Sequence, residues 1–441
     1  MKYQFLRKLS ILLISGCLLC PGGCGAQSGT EDTAPAAATV SAASESDTQT
    51  ALSDVPRGKV TIQQGGMPAG ASGPAVSEPA AAQPTADVPT ATLSWESAAD
   101  AVSHMKIGWN LGNSFDATGD WIVQYTSGSN ADFETAWGNP VTPDTLMHKL
   151  KENGIQAVRI PITWHYHFDE AGSIDPVWMS RVREVVDQAM AEDLYCIINI
   201  HHDTGADGWL KATPANYQKN AAVFQRLWEQ IATEFRDYPE LLLFEGFNEM
   251  LNDANEWTNP NSSDTDAVNS YNQLFVDTVR ATGGNNAARN LVCCTYAAAH
   301  SQKALSGFSM PADRVSGHLI AEVHFYSPYE FITDEGVTWT SPISSYNDHV
   351  ENTVDTVFGE LKDYFGSRSI PLIIGEFAAD DKQNTQDRIQ WYTRVVTDSM
   401  QIGAACFLWD NGNGYNMGHL DRTGSNDSFP EIVAACVEAA N

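Results

Sequence analysis

The chain has 441 residues, 43% of them hydrophobic, which is enough material for one large core or two ordinary ones. Its 55 acidic and 25 basic residues give a formal net charge of -30. A protein this acidic is a poor partner for nucleic acid and for anionic membrane surfaces, so we expect a neutral or cationic substrate instead.

Residues 1–24 have the pattern of a lipoprotein-type export signal and are excluded from the fold. Three basic residues precede an apolar stretch from Leu9 to Cys20, which is too short to remain as a membrane-spanning helix. The run Ile-Ser-Gly-Cys ending at Cys17 resembles the lipobox of bacterial lipoproteins, and Cys24 is the alternative site of lipidation. A plain secretory signal is the other interpretation. We expect an exported, extracellular or cell-surface protein that contacts the membrane only through this lipid anchor.

Residues 25–92 contain mainly Ala, Ser, Thr, Pro, Gly and Gln and almost no aromatic residue. Such a segment cannot bury enough apolar surface to offset its ordering entropy, so we predict a disordered tether. A tether of this kind would hold the following domain away from a membrane and let it search a polymeric substrate.

Residues 93–441 have a globular composition, and apolar runs alternate there with segments of helical periodicity. The sequence predicts eight strands, at residues 106–111, 155–162, 195–201, 241–248, 291–295, 319–325, 372–376 and 404–409. Amphipathic segments between them include residues 177–191, 221–235, 268–282 and 350–365. This alternation predicts an α/β domain, a (β/α)8 TIM barrel with enlarged loops at its C-terminal face. An open doubly wound sheet is the alternative, although no Gly-rich phosphate turn follows any strand.

The predicted strands end in polar side chains. The fourth strand is apolar at its start and ends at Asn248 and Glu249, and the seventh ends at Glu376. Side chains alternate along a strand, so His324 and Tyr326 project to the same side of the sixth strand. In parallel α/β folds the chemistry collects at the carboxyl ends of the strands, so we expect these groups on one rim. Other strand-end members of the rim are Arg159, Asn199, His201 and Trp409.

Two glutamates on one rim suggest glycoside hydrolysis with retention of configuration. In that reaction two carboxyl groups, about 5–5.5 Å apart, act as nucleophile and as acid/base. Glu249 and Glu376 are the candidate pair. The nucleophile must be ionised, and Arg159 and Tyr326 offer the cationic and hydroxyl donors that favour a carboxylate. Asn248 beside the acid/base is placed to bind a sugar 2-hydroxyl.

Eight motifs in chain order resemble glycoside hydrolase family five. They are GWNLGNSFDA (108–117), WGNP (137–140), VRIPITW (158–164), INIHHD (198–203), FEGFNE (244–249), HFYSPY (324–329), IIGEF (373–377) and LWDNG (408–412). The resemblance covers nearly the whole domain and implies a (β/α)8 barrel with the acid/base on the fourth strand and the nucleophile on the seventh, here Glu249 and Glu376. The candidate substrate-binding residues are Asn110, Trp137, Arg159, His201, His202, Asn248, His324, Tyr326 and Trp409.

WGNP, the double histidine and HFYSPY together resemble the branch of endo-β-1,4-glucanases. The resemblance implies cleavage of internal β-1,4-glucosidic bonds of β-glucans such as cellulose, without a cofactor. Met250 departs from the pattern, because many relatives have proline after the acid/base; this affects the turn more than the chemistry. A xyloglucanase, a lichenase and a (gluco)mannanase stay open as alternatives, and so does a surface glycan-binding lipoprotein that has no activity.

The long segments after strands one, four and six should line the cleft and select the substrate. They cover residues 113–142, 251–267 and 327–348, and their candidate sugar-stacking platforms are Trp121, Trp137, Trp257 and Trp339. We expect a monomer whose partner is a β-glucan polysaccharide. Endo-acting and processive cleavage both stay open.

Glu245 and a histidine pair could suggest other chemistry, but we interpret both as structural. Glu245 is about 13 Å deeper than Glu249 at about 3.3 Å per residue, so we expect it to be a buried partner of a basic or hydroxyl group. His201, His202 and Asp203 could suggest a metal site. Neighbouring strand residues point to opposite sides and no third ligand has a diagnostic spacing, so we predict no catalytic metal and leave a structural Ca2+ open.

The mature chain keeps five cysteines, namely Cys196, Cys293, Cys294, Cys406 and Cys436. Their spacing offers no zinc pattern, and most of them lie within predicted strands. We expect buried thiols that act as small core residues, with one disulfide as the alternative.

Overall fold

The computed structural model of the protein describes residues 95–333, 341–412, 414 and 416–441. The predicted export signal and tether lie outside these residues and stay predictions, and so does the platform predicted at Trp339. None of the helices that the structure describes is long and apolar enough to cross a membrane.

Eight parallel strands form a closed barrel in chain order, and the last strand pairs with the first. They are β1 (Ile107–Leu111), β2 (Ala157–Ile160), β3 (Tyr195–Ile198), β4 (Leu242–Glu245), β5 (Leu291–Cys294), β6 (Leu319–Phe325), β7 (Leu372–Phe377) and β8 (Ala405–Asp410). Each predicted strand overlaps an observed one. The predicted (β/α)8 TIM barrel is therefore confirmed, and the open doubly wound sheet is wrong.

The longer helices after the strands cover the outside of the barrel and turn their apolar stripes toward the strands, and the structure describes twelve α-helices in all. They are α1 (Ala98–Met105), α2 (Asp120–Tyr125), α3 (Asn130–Glu134), α4 (Leu146–Glu152), α5 (Pro176–Ala191), α6 (Pro214–Glu234), α7 (Ser262–Ala281), α8 (Gln302–Gly307), α9 (Tyr329–Ile332), α10 (Asp348–Leu361), α11 (Thr385–Gln401) and α12 (Pro430–Ala439). Asp175 caps α5 and Thr213 caps α6, each followed by proline at the first helical position. The four predicted amphipathic segments correspond to α5, α6, α7 and α10.

Helix α1, which the sequence analysis missed, closes the N-terminal end of the barrel. The Ser97 side chain caps it by accepting the N–H of Asp100. The apolar face of α1 packs into a buried cluster with side chains that point into the barrel. The cluster contains Ala98, Ala101, Val102, Met105, Ala157, Tyr195, Ile197, Leu243, Val292, Ile320, Ile373, Ala405 and Phe407. The interior is thus filled at this end, and the polar strand ends lie at the other.

The strand ladder is irregular at two predicted site residues. The register between β6 and β7 shifts around His324, and the register between β7 and β8 shifts around Glu376. Such irregularities re-aim side chains and are frequent beside active sites. The bends in these two strands therefore help to turn both residues toward a common centre.

All five described cysteines are free and buried. This confirms the prediction of buried thiols that fill the core, and the alternative of a disulfide is wrong for these residues. Cys293 and Cys294 end β5, and the Cys294 thiol contacts a carboxylate on β6.

Candidate active site

Glu249 and Glu376 face each other at the C-terminal end of the barrel. Glu249 lies just beyond β4, and Glu376 lies in β7. One carboxylate oxygen of Glu249, one of Glu376 and a ring nitrogen of His324 all lie within 4.8 Å of one another. The side chain of Glu249 is 20% exposed and that of Glu376 only 6%. One carboxyl group therefore opens to the cleft, and the protein encloses the other.

Two donors hold the Glu376 carboxyl group. Arg159 Nη1 donates to Oε1 over 2.7 Å, and the Tyr326 hydroxyl donates to Oε2 over 2.9 Å. Burial raises the pKa of Glu376, and the charges of His324 and Arg159 oppose that rise. Burial and the neighbouring carboxylates also raise the pKa of Tyr326, so its phenol stays a donor. The ionised form of Glu376 thus depends on the cations beside it.

Arg159 is fully buried and joins the site to the barrel interior. Its Nε and Nη2 donate to the two oxygens of Glu245 over 2.6 and 2.7 Å. Burial disfavours the charged guanidinium, but Glu245 and other carboxylates outweigh this effect and raise the pKa of Arg159 well above its usual value. The prediction that Glu245 is a buried partner of a basic group is confirmed, and the guanidinium stays charged.

Asn110 and Asn248 complete the shell around the guanidinium. Each side-chain oxygen accepts an N–H from Arg159, at 3.0 Å for Asn110 and 2.9 Å for Asn248. Asn110 is fully buried, and its amide nitrogen donates to the backbone oxygen of Gly375 over 2.9 Å. Two residues predicted to bind substrate, Asn110 and Arg159, therefore lie beneath the cleft, where they contact the protein.

His324 lies between the two glutamates. Its Nδ1 is 2.8 Å from Glu249 Oε1 and 3.6 Å from Glu376 Oε2. Burial alone would lower the pKa of this imidazole, but Glu376, Glu249 and Glu322 together raise it to about 10. The ring is therefore a cation at neutral pH, and it attracts both carboxylates.

Glu322 is a site residue that the sequence analysis missed. It is fully buried on β6, with Oε1 3.5 Å from His324 Nε2 and 3.6 Å from Arg159 Nε. The available signal was the alternation along β6, because Glu322, His324 and Tyr326 are spaced by two residues and point to the same side. Glu322 thus lies deeper in the barrel than the glutamate pair and contacts both cations of the site, His324 and Arg159.

Aromatic rings form one wall of the cleft. The ring centroids of Trp137 and His202 are 5.4 Å apart, those of His202 and His201 4.5 Å, and those of His201 and Trp409 6.1 Å. Burial lowers the pKa of His202 to about 4 and holds that of His201 well below its usual value, so both rings are neutral. Neutral flat rings suit the uncharged faces of a sugar. Trp137, His202 and Trp409 are partly exposed.

His201 and His202 form a possible ligand group with Asp116, and Asp203 is not part of that group. Asp203 accepts N–H groups from Trp164 and from the Trp209 indole. Ligand atoms of Asp116, His201 and His202 lie within 4.8 Å of one another, so these three could hold a small cation. Asp116 already accepts the backbone N–H groups of residues 113 and 114, and burial raises its pKa to about 7. These hydrogen bonds account for the buried carboxyl group without an ion.

Comparison with known proteins decides the family. The model of the family Cellulase (glycosyl hydrolase family 5) matches residues 115–415. This chain belongs to glycosyl hydrolase family 5. Endoglucanase B of Neocallimastix patriciarum is 38% identical over 350 residues, which are 78% of this chain and 72% of that protein. Endoglucanase B of Ruminococcus albus is 35% identical over 346 residues, 76% of this chain and 79% of that protein.

Solved structures of family 5 enzymes have the same fold. A family 5 glycoside hydrolase of Prevotella bryantii, solved as a mutant with a xyloglucan tetradecasaccharide, has a TM-score of 0.71 and 38% identity over 79% of this chain and 99% of that one. A broad specificity endoglucanase of Ruminococcus champanellensis, solved with cellotriose, has a TM-score of 0.71 and 39% identity, covering 78% of this chain and 98% of that one. This family 5 chain is thus an enzyme of the endoglucanase type.

Three residues that the sequence singled out lie in the segments after β1 and β4. Met250, at the position where the resemblance expects proline, is fully buried in the main core, and its backbone oxygen accepts the N–H of Ala297 over 3.3 Å. Trp121 and Trp257 are partly buried and pack against the same core. The methionine thus takes part in packing the turn, and both tryptophans keep some exposed surface.

Proposed function

We propose that the protein is a retaining, endo-acting β-1,4-glucanase, with Glu376 as nucleophile and Glu249 as acid/base. The observation that carries this proposal is the placement of the two carboxyl groups, whose oxygens and the His324 nitrogen lie within 4.8 Å of one another. Retaining glycosidases hold their carboxyl groups about 5–5.5 Å apart, whereas inverting ones leave about 6.5–9.5 Å for a water molecule. The short separation supports double displacement.

The surroundings of each glutamate support the division of roles. Glu376 has two donors, Arg159 and Tyr326, and is nearly enclosed, which suits a group that must attack as a carboxylate. Glu249 is the more exposed of the pair. Among the described residues, its carboxyl group has one hydrogen-bond partner, the His324 ring. It is therefore the group that can reach a leaving-group oxygen in the cleft.

The reaction proceeds in two steps. The carboxylate of Glu376 attacks the anomeric carbon while Glu249 gives its proton to the glycosidic oxygen, so that the leaving chain departs as an alcohol. Glu249 then removes a proton from a water molecule, which attacks the glycosyl-enzyme and restores both groups. The oxygen of Asn248 is held by Arg159, which leaves its amide nitrogen as the donor for the sugar 2-hydroxyl.

The proposed substrates are β-1,4-linked glucans, including branched ones. The wall made by Trp137, His202 and Trp409 offers apolar ring faces for a glucan backbone. Xyloglucan is the second candidate, because the Prevotella bryantii enzyme that is 38% identical was solved with a xyloglucan oligosaccharide. Product profiles on carboxymethylcellulose, xyloglucan, lichenan and glucomannan, measured side by side, would rank these substrates.

Replacement of the nucleophile tests the assignment. Glu376→Gln should abolish hydrolysis of β-glucan, and Glu249→Ala should retain activity mainly on substrates whose leaving groups need no proton. Proton NMR of the first product should show the β-anomer before mutarotation. An initial α-anomer would refute retention, and an active Glu376→Gln variant would refute the nucleophile and favour a protein that only binds glycans.

We further propose that the chain is exported and held at the cell surface by a lipid on Cys17 or Cys24. The support is the charge and apolar pattern of residues 1–24 and the low-complexity composition of residues 25–92. Labelling of expressing cells with an alkyne fatty acid would test it, with Cys17→Ser and Cys24→Ser as variants. If the two single variants and the double variant were all labelled as strongly as wild type, lipidation at these sites would be refuted. Sedimentation should show a monomer.

A further inference from the structure

We propose that Glu322 is a positioning residue that holds a proton on Nε2 of His324. It keeps one proton on Nε2, so that the proton used in catalysis lies in the hydrogen bond between Nδ1 and Glu249. Its effect on turnover rests on the proposed role of Glu249 as acid/base. Its effect on the imidazole does not depend on turnover.

The contacts of the His324 ring carry the proposal. Nδ1 is 2.8 Å from Glu249 Oε1, and Nε2 on the other side of the ring is 3.5 Å from Glu322 Oε1. Among the described residues, neither Nε2 nor Glu322 Oε1 has a hydrogen-bond partner of standard geometry, and both atoms are buried. A carboxylate oxygen can only accept, so the ring nitrogen that faces it carries the proton.

Three neighbours keep Glu322 ionised in this place. Arg159 Nε is 3.6 Å from Oε1, and the Cys294 thiol lies 3.0 Å from Oε2, to which it can donate. Burial opposes ionisation, but the charges of Arg159 and His324 outweigh it and lower the pKa of Glu322. An ionised carboxylate beneath the ring is therefore the ordinary state of this residue.

A glycine on the neighbouring strand leaves the space that the Glu322 carboxylate occupies. A Cβ atom on Gly375 would lie 1.7 Å from Glu322 Oε1, far inside contact distance. Gly375 immediately precedes the proposed nucleophile, so the same strand that presents Glu376 also accommodates Glu322. The geometry is thus built around an acidic group at this position.

The proton held on Nε2 has a consequence for the proton of Glu249. With a proton on Nε2, the neutral ring offers a lone pair at Nδ1 and can bind Glu249 only in its protonated form. When the ring is a cation, Nδ1–H is donated to the Glu249 carboxylate. Both states hold one proton in the same hydrogen bond, ready for the leaving group. The other titratable groups that face the ring are Glu376 at 3.6 Å and His201.

Glu322→Gln tests the proposal. The amide removes the charge and can turn its NH2 group toward Nε2, which favours an unprotonated Nε2. The ring then loses its positive charge, keeps a proton on Nδ1 and stabilises Glu249 as a carboxylate. We expect kcat/KM on barley β-glucan to fall about 100-fold, which is the usual contribution of general acid catalysis. Hydrolysis of 2,4-dinitrophenyl β-cellobioside, whose leaving group needs no proton, should change by less than about threefold.

Two further variants separate charge from packing. Glu322→Asp keeps the charge and should recover part of the loss on β-glucan. Cys294→Ser keeps a donor to Glu322 and leaves its charge in place, so it should stay within about threefold of wild type on both substrates. An equal loss on both substrates in Glu322→Gln, or wild-type rates on β-glucan, would overturn the proposal.

Nitrogen NMR observes the protonation of Nε2 directly. The protein has 11 histidines, so His324 would be assigned by comparison of 15N-histidine spectra with those of a His324→Asn variant. Wild type should show a protonated Nε2 at neutral pH, whereas Glu322→Gln should show an unprotonated Nε2, and a protonated Nε2 in both proteins would overturn the proposal. An unprotonated Nε2 in wild type would overturn the proposal. If wild type hydrolysed neither substrate, the proposed function would fail, while these spectra would still decide whether Glu322 holds the proton on Nε2.

Discussion

Arg159 uses all five of its N–H groups inside the barrel. They donate to both oxygens of Glu245 and to Asn110, Asn248 and Glu376, over 2.6 to 3.0 Å. Lysine keeps the charge but has three donors on one atom, so Arg159→Lys leaves at least two acceptors without an N–H. Hydrogen bonds to charged groups contribute about 1.5–3 kcal/mol each, so the loss amounts to about 3–6 kcal/mol.

This loss should be visible in two assays. Urea unfolding should show a lower free energy of unfolding for Arg159→Lys. Because Glu376 is among the acceptors, kcat/KM on β-glucan should fall by at least about 100-fold, equivalent to about 2.7 kcal/mol of transition-state stabilisation.

Arg280 provides the matched control. It is also buried, its Nε and Nη2 bind Asp313, and its Nη1 binds the backbone oxygens of Asn286 and Arg289. Arg280→Lys should lower the free energy of unfolding about as much as Arg159→Lys does. Under conditions where the variant is folded, its kcat/KM should stay within about twofold of wild type. A variant Arg159→Lys with nearly wild-type kcat/KM, or equal losses of activity in both variants, would refute the reasoning.

Three other outcomes are expected. Burial raises the pKa of Glu376, so activity should be lost on acidification already above the ordinary carboxyl value of 4.5; an acid limb of kcat/KM below that value would contradict this. Trp409→Ala should raise KM for cello-oligosaccharides about tenfold through lost stacking, about 1.4 kcal/mol, and an unchanged KM would exclude contact with sugar. Gly375→Ala should lower both the melting temperature and kcat, since its methyl group meets Glu322; a wild-type melting temperature would show that Glu322 moves freely.

The barrel and the glutamate pair were predictable for physical reasons. Parallel strands buried on both faces give continuous apolar runs, and their polar ends at Glu249 and Glu376 stand out against them. Helix α1 was missed because it is short and directly follows a low-complexity segment, so its apolar stripe has too few turns to be distinctive.

The depth of residues within the site was not predictable from spacing. Arg159 was predicted from the same strand-end pattern as Trp409, yet Arg159 is fully buried and Trp409 is partly exposed. The position of Glu322 depends on Arg159 from β2 and on the open space at Gly375 on β7. Such contacts between strands far apart in sequence are set by the closure of the barrel.

The closed end of the barrel is also where the chain enters it. The backbone of Glu96 bonds the side chains of Glu240 and Asn290, and the N–H of Ala98 donates to Gly317; these partners precede β4, β5 and β6. A force applied to the chain ahead of α1 therefore acts on the end of the barrel opposite Glu249 and Glu376.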